Sequence, residues 1–264
     1  MKTYADYASL REASAVKKKC IIMRGIPGAG KSYRAAELLK IHGGTPQGHI
    51  FSTDSQFTPI SNKLKFLVHA TPESINLNDA IALCQEIVDM WYGAKWSDAK
   101  QSGNDSFLEF KKLFDEGKYY EALQFAQQMV GVLDSVEYRS QWQPGRLKWA
   151  HGSNLSAFKA AVDRGVTPVI VDNTNTVPRE AAAYVRYAVE AGYEISVEEP
   201  TSPHWTQHRD LFKDKYGNSA KLDDFAKFLT TKNSHGVPYD SIKKMMDRWH
   251  HGMTVDDLMK ASEE

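Results

Sequence analysis

The stretch CIIMRGIPGAGKSYRAAELL, Cys20 to Leu39, passes from four apolar residues through three glycines into a lysine, a serine and an amphipathic run. Gly25 to Ser32 reads G-x-x-x-x-G-K-S, and its setting between a buried strand and a helix is the one in which that pattern has chemical meaning. Glycines let successive backbone N–H groups turn toward a phosphate, and the positive end of the following helix reinforces them. The expected nucleotide-binding loop is Gly25, Gly28, Ala29, Gly30, Lys31, Ser32 and Tyr33. Lys31 would reach the β and γ oxygens of ATP, Ser32 would place its hydroxyl on Mg²⁺, and the Tyr33 ring would crowd the α-phosphate side.

Outward from this loop, helical spacing through Ala35, Leu38 and Leu39 predicts a helix over Ser32 to His42, closed by Gly43 and Gly44. Further strands are expected around His49 to Ser52, at Pro168 to Val171 and at Tyr193 to Glu198, with a helix over Pro178 to Ala191. A helix is also expected over residues 1 to 16, ahead of Lys17 to Lys19. Strands alternating with helices predict an α/β fold with a parallel sheet and right-handed crossovers. Residues 61 to 138 interrupt that alternation with helical patterns and read as an inserted hairpin or trio. The expected organisation is a core of residues 1–60 and 139–264 and a helical insertion at 61–138.

The 264 residues include 33 Lys and Arg against 33 Asp and Glu, so the overall charge gives no argument for a polyanion partner. Charge is uneven along the chain, with nine basic against three acidic residues in positions 1 to 45. Two cysteines, Cys20 and Cys84, are too few for a disulfide framework and read as buried thiols of a reducing compartment. No membrane-length apolar run and no signal-peptide core is visible, so the expectation is a cytoplasmic protein with no membrane contact. Adjacent His250 and His251 cannot share a helix face as metal ligands do at i, i+4, which argues against zinc there.

Two acids fall at the ends of expected strands, where ligands of open parallel sheets bind. Asp54 in FSTD suits either a Mg²⁺-positioning acid or a general base for an acceptor hydroxyl, with a helix N-cap as the structural alternative. Asp172 ends the most β-branched run, and Asn173, Thr174 and Asn175 follow it, a cluster suited to hydrogen bonds with a sugar or phosphate or to turn formation. Trp205, with His208 and Arg209, offers base stacking or a place in the core.

The segments MRGIPGAGKS, IFSTD, LKWAHGSNLSAFKAAVDRGVTPVIVDNTNT, AGYEISVEEP and KNSHGVPYDSIKKMMDRW, in this order, resemble the P-loop kinase family of the NEDD4-binding protein 2 type, which is similar to the 5′-hydroxyl polynucleotide kinases. The resemblance covers residues 18 to 55 and 138 to 250. It implies a P-loop NTPase fold, an adenylate-kinase-like three-layer core passing the γ-phosphate of ATP to the 5′-hydroxyl of RNA or DNA. By the same resemblance Asp54 would be the general base and Asp172 would support the acceptor site. His151 and Asn154 would line the acceptor groove unless they cap a helix, and TKNSHGVP would form a lid. Two positions depart from the pattern: Phe57 stands where an arginine would hold the acceptor strand, and Lys232 stands for the arginine expected in the lid. Lys232 supplies a point charge without a bidentate fork, and His235, Arg209 and Arg248 are candidates to substitute for the missing arginine. The insertion is left as a cover over the acceptor site or a surface for a protein partner. A small-molecule or aminoacyl-tRNA acceptor, and a nucleotide-dependent switch, are the competing readings.

Overall fold

The structure, a computed structural model, describes residues 17–44, 48–67, 75–95, 97–213 and 219–263. The helix expected over residues 1 to 16 lies outside them. Four parallel strands, β1 (Lys19–Met23), β2 (Ile50–Phe51), β3 (Val169–Asp172) and β4 (Glu194–Glu198), form one sheet in the order β2-β3-β1-β4. All four expected strands are present, each within two residues of its predicted limits.

Side chains alternate across the sheet with period two, so each strand feeds two layers. Cys20, Ile22, Val169 and Val171 pack on one face against α8 (Leu147–Asp163) and α9 (Ala182–Glu190), through Phe158, Val162, Val185 and Ala188. On the other face Ile21, Met23 and Ile170 meet Ala35, Leu38 and Leu39 of α1 (Lys31–His42). This is the three-layer architecture of a P-loop NTPase. The helix expected over Pro178 to Ala191 is divided into a 3-10 turn, Pro178–Glu180, and α9, because the Glu180 carboxylate folds back onto the Thr176 N–H at 2.6 Å. Both cysteines are buried free thiols whose pKa burial pushes up to about 12, which makes them inert.

Between β2 and β3 the chain builds α2 (Pro59–Leu67), α3 (Leu77–Gly93), α4 (Asp98–Ser102), α5 (Asn104–Asp115), α6 (Tyr119–Gln128) and α7 (Val130–Gln141). Six helices replace the expected hairpin or trio. The extra breaks fall where tertiary contact decides them: a Cβ on Gly103 would meet Val132 Cγ1 at 2.2 Å, so only glycine lets α4 and α5 join that close to α7. Their apolar faces close over a core of their own that includes Leu83, Ile87, Trp91, Phe107, Phe110 and Leu133, with Trp91 and Phe107 stacked at 4.5 Å.

One buried carboxylate fastens α7 to the start of α2. Glu137 is fully buried and accepts hydrogen bonds from Ile60 N, Ser61 N and Ser61 Oγ at 2.8, 2.8 and 2.7 Å, satisfying N–H groups that a helix start leaves orphaned. Glu137→Ala strands those donors and is expected to lower stability by about 3 kcal/mol, read as a drop in the urea unfolding midpoint.

After β4 the chain forms α10 (Pro203–His208), α11 (Ser219–Lys232), α12 (Tyr239–Asp247) and α13 (Val255–Glu263). Trp205 is completely buried, packed edge-on against Phe212 at 5.8 Å and Trp249 at 5.2 Å. It is therefore a core residue and not a stacking platform for a base. Beneath it, the buried Arg24 guanidinium lies 3.8 Å over the Trp249 ring and donates to the His250 carbonyl at 2.6 Å.

Candidate phosphate-transfer site

The phosphate loop follows β1 at the point where the strand order turns in opposite directions, which is where a parallel sheet opens a crevice. Gly28 and Gly30 have φ of 83° and 96°, in the left-handed region that favours glycine. The loop is held from outside: Gly25 N donates to the Thr174 carbonyl at 3.0 Å, and Ser202 Oγ donates to the Ala29 carbonyl at 2.9 Å. A Cβ on Gly28 would lie 2.5 Å from the Leu229 carbonyl oxygen of α11. Gly28→Ala therefore combines overlap with backbone strain of about 1–3 kcal/mol, and an ATP analogue should bind about tenfold more weakly by calorimetry.

A cavity of about 690 Å³ opens over this loop. Gly28, Gly30, Lys31, Ser32, Tyr33, Asp54, Asp172, Asn173 and Lys232 all line it, so the expected phosphate-handling residues face one space. Tyr33 stands at its rim with 84% of its surface exposed, turned toward solvent. Lys31 is half-buried at the start of α1, and burial pulls its pKa down against the opposing charges of Asp172 and Asp54.

Asp172 accepts from Ser32 Oγ at 2.7 Å through Oδ2, while its buried Oδ1 has no partner. Burial raises its pKa against the pull of Lys31 and Ser32. An unpartnered buried carboxylate oxygen beside a serine hydroxyl is the oxygen donor chemistry of a hard cation, so Ser32 and Asp172 fit Mg²⁺. Asp172 thus sits on the Ser32 side of the cleft.

Asp54 opens a 3-10 turn, Asp54–Phe57, directly after β2. It lies in the cleft with 51% of its side chain open to it, Oδ2 3.3 Å from His235 Nδ1 and Oδ1 accepting from the Tyr138 hydroxyl at 3.2 Å. Burial opposes ionisation, but the His235 hydrogen bond and charge, Lys31 and Tyr138 together hold its pKa below the usual carboxylate range. His235 Nε2 reaches Asp134 Oδ2 at 3.3 Å, and the imidazole stacks on Tyr138 with centroids 4.1 Å apart. Burial pulls its pKa down, yet its bonds to Asp134 and Asp54 outweigh that and hold it up at about 9. At neutral pH the ring is an imidazolium donating to a carboxylate on each side. Lys65 closes the chain, 2.6 Å from Asp134 Oδ1.

Asp134 and Tyr138 come from α7 and had no place among the residues read from sequence. Their spacing of four puts them on one helix face, but nothing local identifies a partner about a hundred residues away. The same helix grips the loop at residues 233–237 twice more: Ser135 Oγ donates to the Ser234 carbonyl at 2.9 Å, and Arg139 fills the space where a Gly236 Cβ would be. The loop's shape comes from Asn233, whose Oδ1 accepts from Val237 N at 2.6 Å.

The remaining candidates divide. Asn173 Oδ1 accepts from Thr53 N at 2.9 Å, pinning the end of β2 to the end of β3, and Thr53 Oγ1 contacts exposed His151 Nδ1 at 3.1 Å. Asn154 is buried and donates to the Tyr184 hydroxyl at 2.9 Å, and buried Asn175 donates to the Met23 carbonyl at 2.7 Å. Both are placed inside the fold rather than on the cleft wall. Lys232 lies 5.5 Å from the Phe228 ring, beside His235 on the cavity. Arg209 and Arg248 are drawn away, to Glu199 at 2.7 Å and Glu180 at 3.1 Å. Phe57 is buried edge-on against Tyr138, so its ring belongs to the interior and not to the cleft wall.

The chain is 27% identical over 113 residues to human NEDD4-binding protein 2, a match covering 43% of this chain and 5% of that protein. It thus spans about a twentieth of that relative's length. No solved structure matches it. Among the described residues no helix is long and apolar enough to cross a membrane. Residues 20–225 match the family model described as an AAA domain, which spans most of the chain, the phosphate loop and both strand-end acids; the chain belongs to that family of P-loop, nucleotide-binding, kinase-like domains.

Proposed function

We propose that the protein transfers the γ-phosphate of ATP to the 5′-hydroxyl of RNA or DNA. The observation that carries this reading is the convergence on one cavity of Lys31 and Ser32 with Asp54, whose carboxyl is held below the usual carboxylate range. Phosphoryl transfer asks a protein chiefly to position reactants and spread charge. Lys31 and the loop N–H groups would hold the β and γ oxygens, and Lys232 would add positive charge from the lid side. Ser32 and Asp172 would hold Mg²⁺, which when bound supplies charge neutralisation on the phosphates. Asp54 would accept the proton of the attacking hydroxyl. Its carboxylate has about four lone-pair sites, so the contacts to His235 and Tyr138 leave room for that acceptor.

The test is transfer of labelled γ-phosphate to single-stranded 5′-hydroxyl RNA and DNA and to tRNA, with hydrolysis to free phosphate measured alongside. Label in the oligonucleotide supports the reading; ATP consumption with none in any nucleic acid sinks it. Buried Phe57 favours a second reading, a small uncharged acceptor, because it leaves a strand without a charged contact at that place. Raising salt weakens a polyanionic acceptor and leaves a small neutral one unaffected, which separates the two.

A further inference from the structure

We propose that Trp142, Arg146, Lys148 and Trp149 form a shelf that binds single-stranded nucleic acid, the strand whose end is presented to Asp54. This rests on the acceptor reading above but on different residues. Trp142, Leu147 and Trp149 are 40%, 39% and 50% exposed, and they fall within eight positions. Isolated surface apolar residues need no explanation, but two exposed indoles this close together do.

Charge narrows the partner. Between Glu137 and Asp163 the chain carries Arg139, Arg146, Lys148 and Lys159 and no acid, although the whole chain is balanced at 33 against 33. Indole rings interleaved with cations, in a segment that carries no acid, suit a ligand that alternates flat rings with phosphates. The shelf is also partly pre-arranged. Arg146 Nη1 donates to the Gln141 carbonyl at 3.2 Å and to its side-chain oxygen at 2.9 Å, and the guanidinium lies 4.9 Å from the Trp149 ring. An arginine already ordered loses less freedom when a phosphate arrives.

Position completes the argument. Helix α8 leads back to the start of β3, so its first turn lies at the carboxyl edge of the sheet, the same edge that carries the phosphate loop and Asp54. The Arg146 guanidinium is 5.9 Å from the ring of Phe57, which belongs to the same 3-10 turn as Asp54. The shelf's arginine therefore lies beside the turn that carries Asp54.

Binding is measured by anisotropy of 3′-labelled, 5′-hydroxyl single-stranded RNA and DNA of about ten nucleotides, with a non-hydrolysable ATP analogue present. Trp142→Ala with Trp149→Ala should weaken binding at least about tenfold, since stacking contributes about 1–3 kcal/mol per base. Arg146→Ala and Lys148→Ala should each reduce the salt slope by about one. Lys148→Glu, at an exposed position, serves if the double variant does not fold, and should weaken binding more at low salt than at high. Unchanged affinity in these variants, or no wild-type binding to either strand, overturns the shelf; salt-independent capture of a protein there would do the same. If the shelf binds oligonucleotides but no phosphate reaches them, the transfer reading alone fails. If the tryptophan variants phosphorylate oligonucleotides with unchanged KM, the shelf fails and the transfer reading stands.

Discussion

Asp54→Asn lowers kcat for phosphoryl transfer about 10²–10⁴-fold, the usual contribution of a positioned proton acceptor, while the affinity for an ATP analogue stays nearly constant. Asparagine preserves the shape and still accepts from Tyr138, so the variant removes charge and basicity without emptying the site. The proposed nucleotide contacts lie elsewhere, on Lys31, Ser32 and the loop backbone, which line the same cavity. Steady-state transfer rates with calorimetric nucleotide binding measure the two quantities separately. An equal fall in both would mean that Asp54 acts on the nucleotide, and a wild-type rate would remove it from the chemistry. The second acid, Asp172, differs in kind: burial pushes its pKa up while that of Asp54 is pulled down, and environments that separate two carboxylates in this way assign them separate roles.

His235→Gln is expected to lower kcat about 10²–10³-fold, the scale of losing one preorganised donor at a charged site. The loss leaves Asp54 and Asp134 facing each other without the cation that now separates them. Asp134→Asn is the gentler companion because it keeps the ring and alters only its charge. The groups facing His235 are Asp54 and Asp134 through hydrogen bonds and Tyr138 through stacking, with Lys65 behind Asp134. A histidine whose folded pKa is raised contributes fully below its ordinary 6.5, and that contribution is lost as pH rises through about 9. The depressed pKa of Asp54 and Asp134 works in the opposite sense, lost only as pH falls through their folded values. Wild-type activity should therefore hold across neutrality and decline near pH 9. In Asp134→Asn one carboxylate is gone, the His235 pKa falls toward 6.5, and activity at pH 8 drops about tenfold while the loss at pH 6 is small. A pH–rate profile and an NMR titration of His235 measure this directly; a basic limb that does not move would show that Asp134 does not act through the ring.

What could be read in the sequence was local. Gly25 to Ser32 works by backbone turns between neighbours, and Asp54 and Asp172 declared themselves by standing at strand ends, so spacing alone brought the cleft into view. Trp205 was ambiguous because a strand end does not say which way an indole points, and the contacts that bury it come from Phe212 and Trp249. Asp134 and Tyr138 were invisible for the same reason on a larger scale: they meet His235 and Asp54 only after six helices have folded on one another. Arg146 is similar, since its place over Phe57 follows from where α8 lies and from no motif.

Glu137 and its neighbours on α7 change how the inserted helices must be regarded by anyone wishing to trim or transplant them. Within one and a half turns, residues 134 to 139 bond the start of α2, the loop that carries His235 and the Asp54 side chain. The seam between appended helices and the P-loop core therefore runs through the middle of α7, lengthwise, with one face belonging to each side. A graft of the core onto another scaffold that left this helix behind would carry away the cleft but not the wall that keeps its histidine in place.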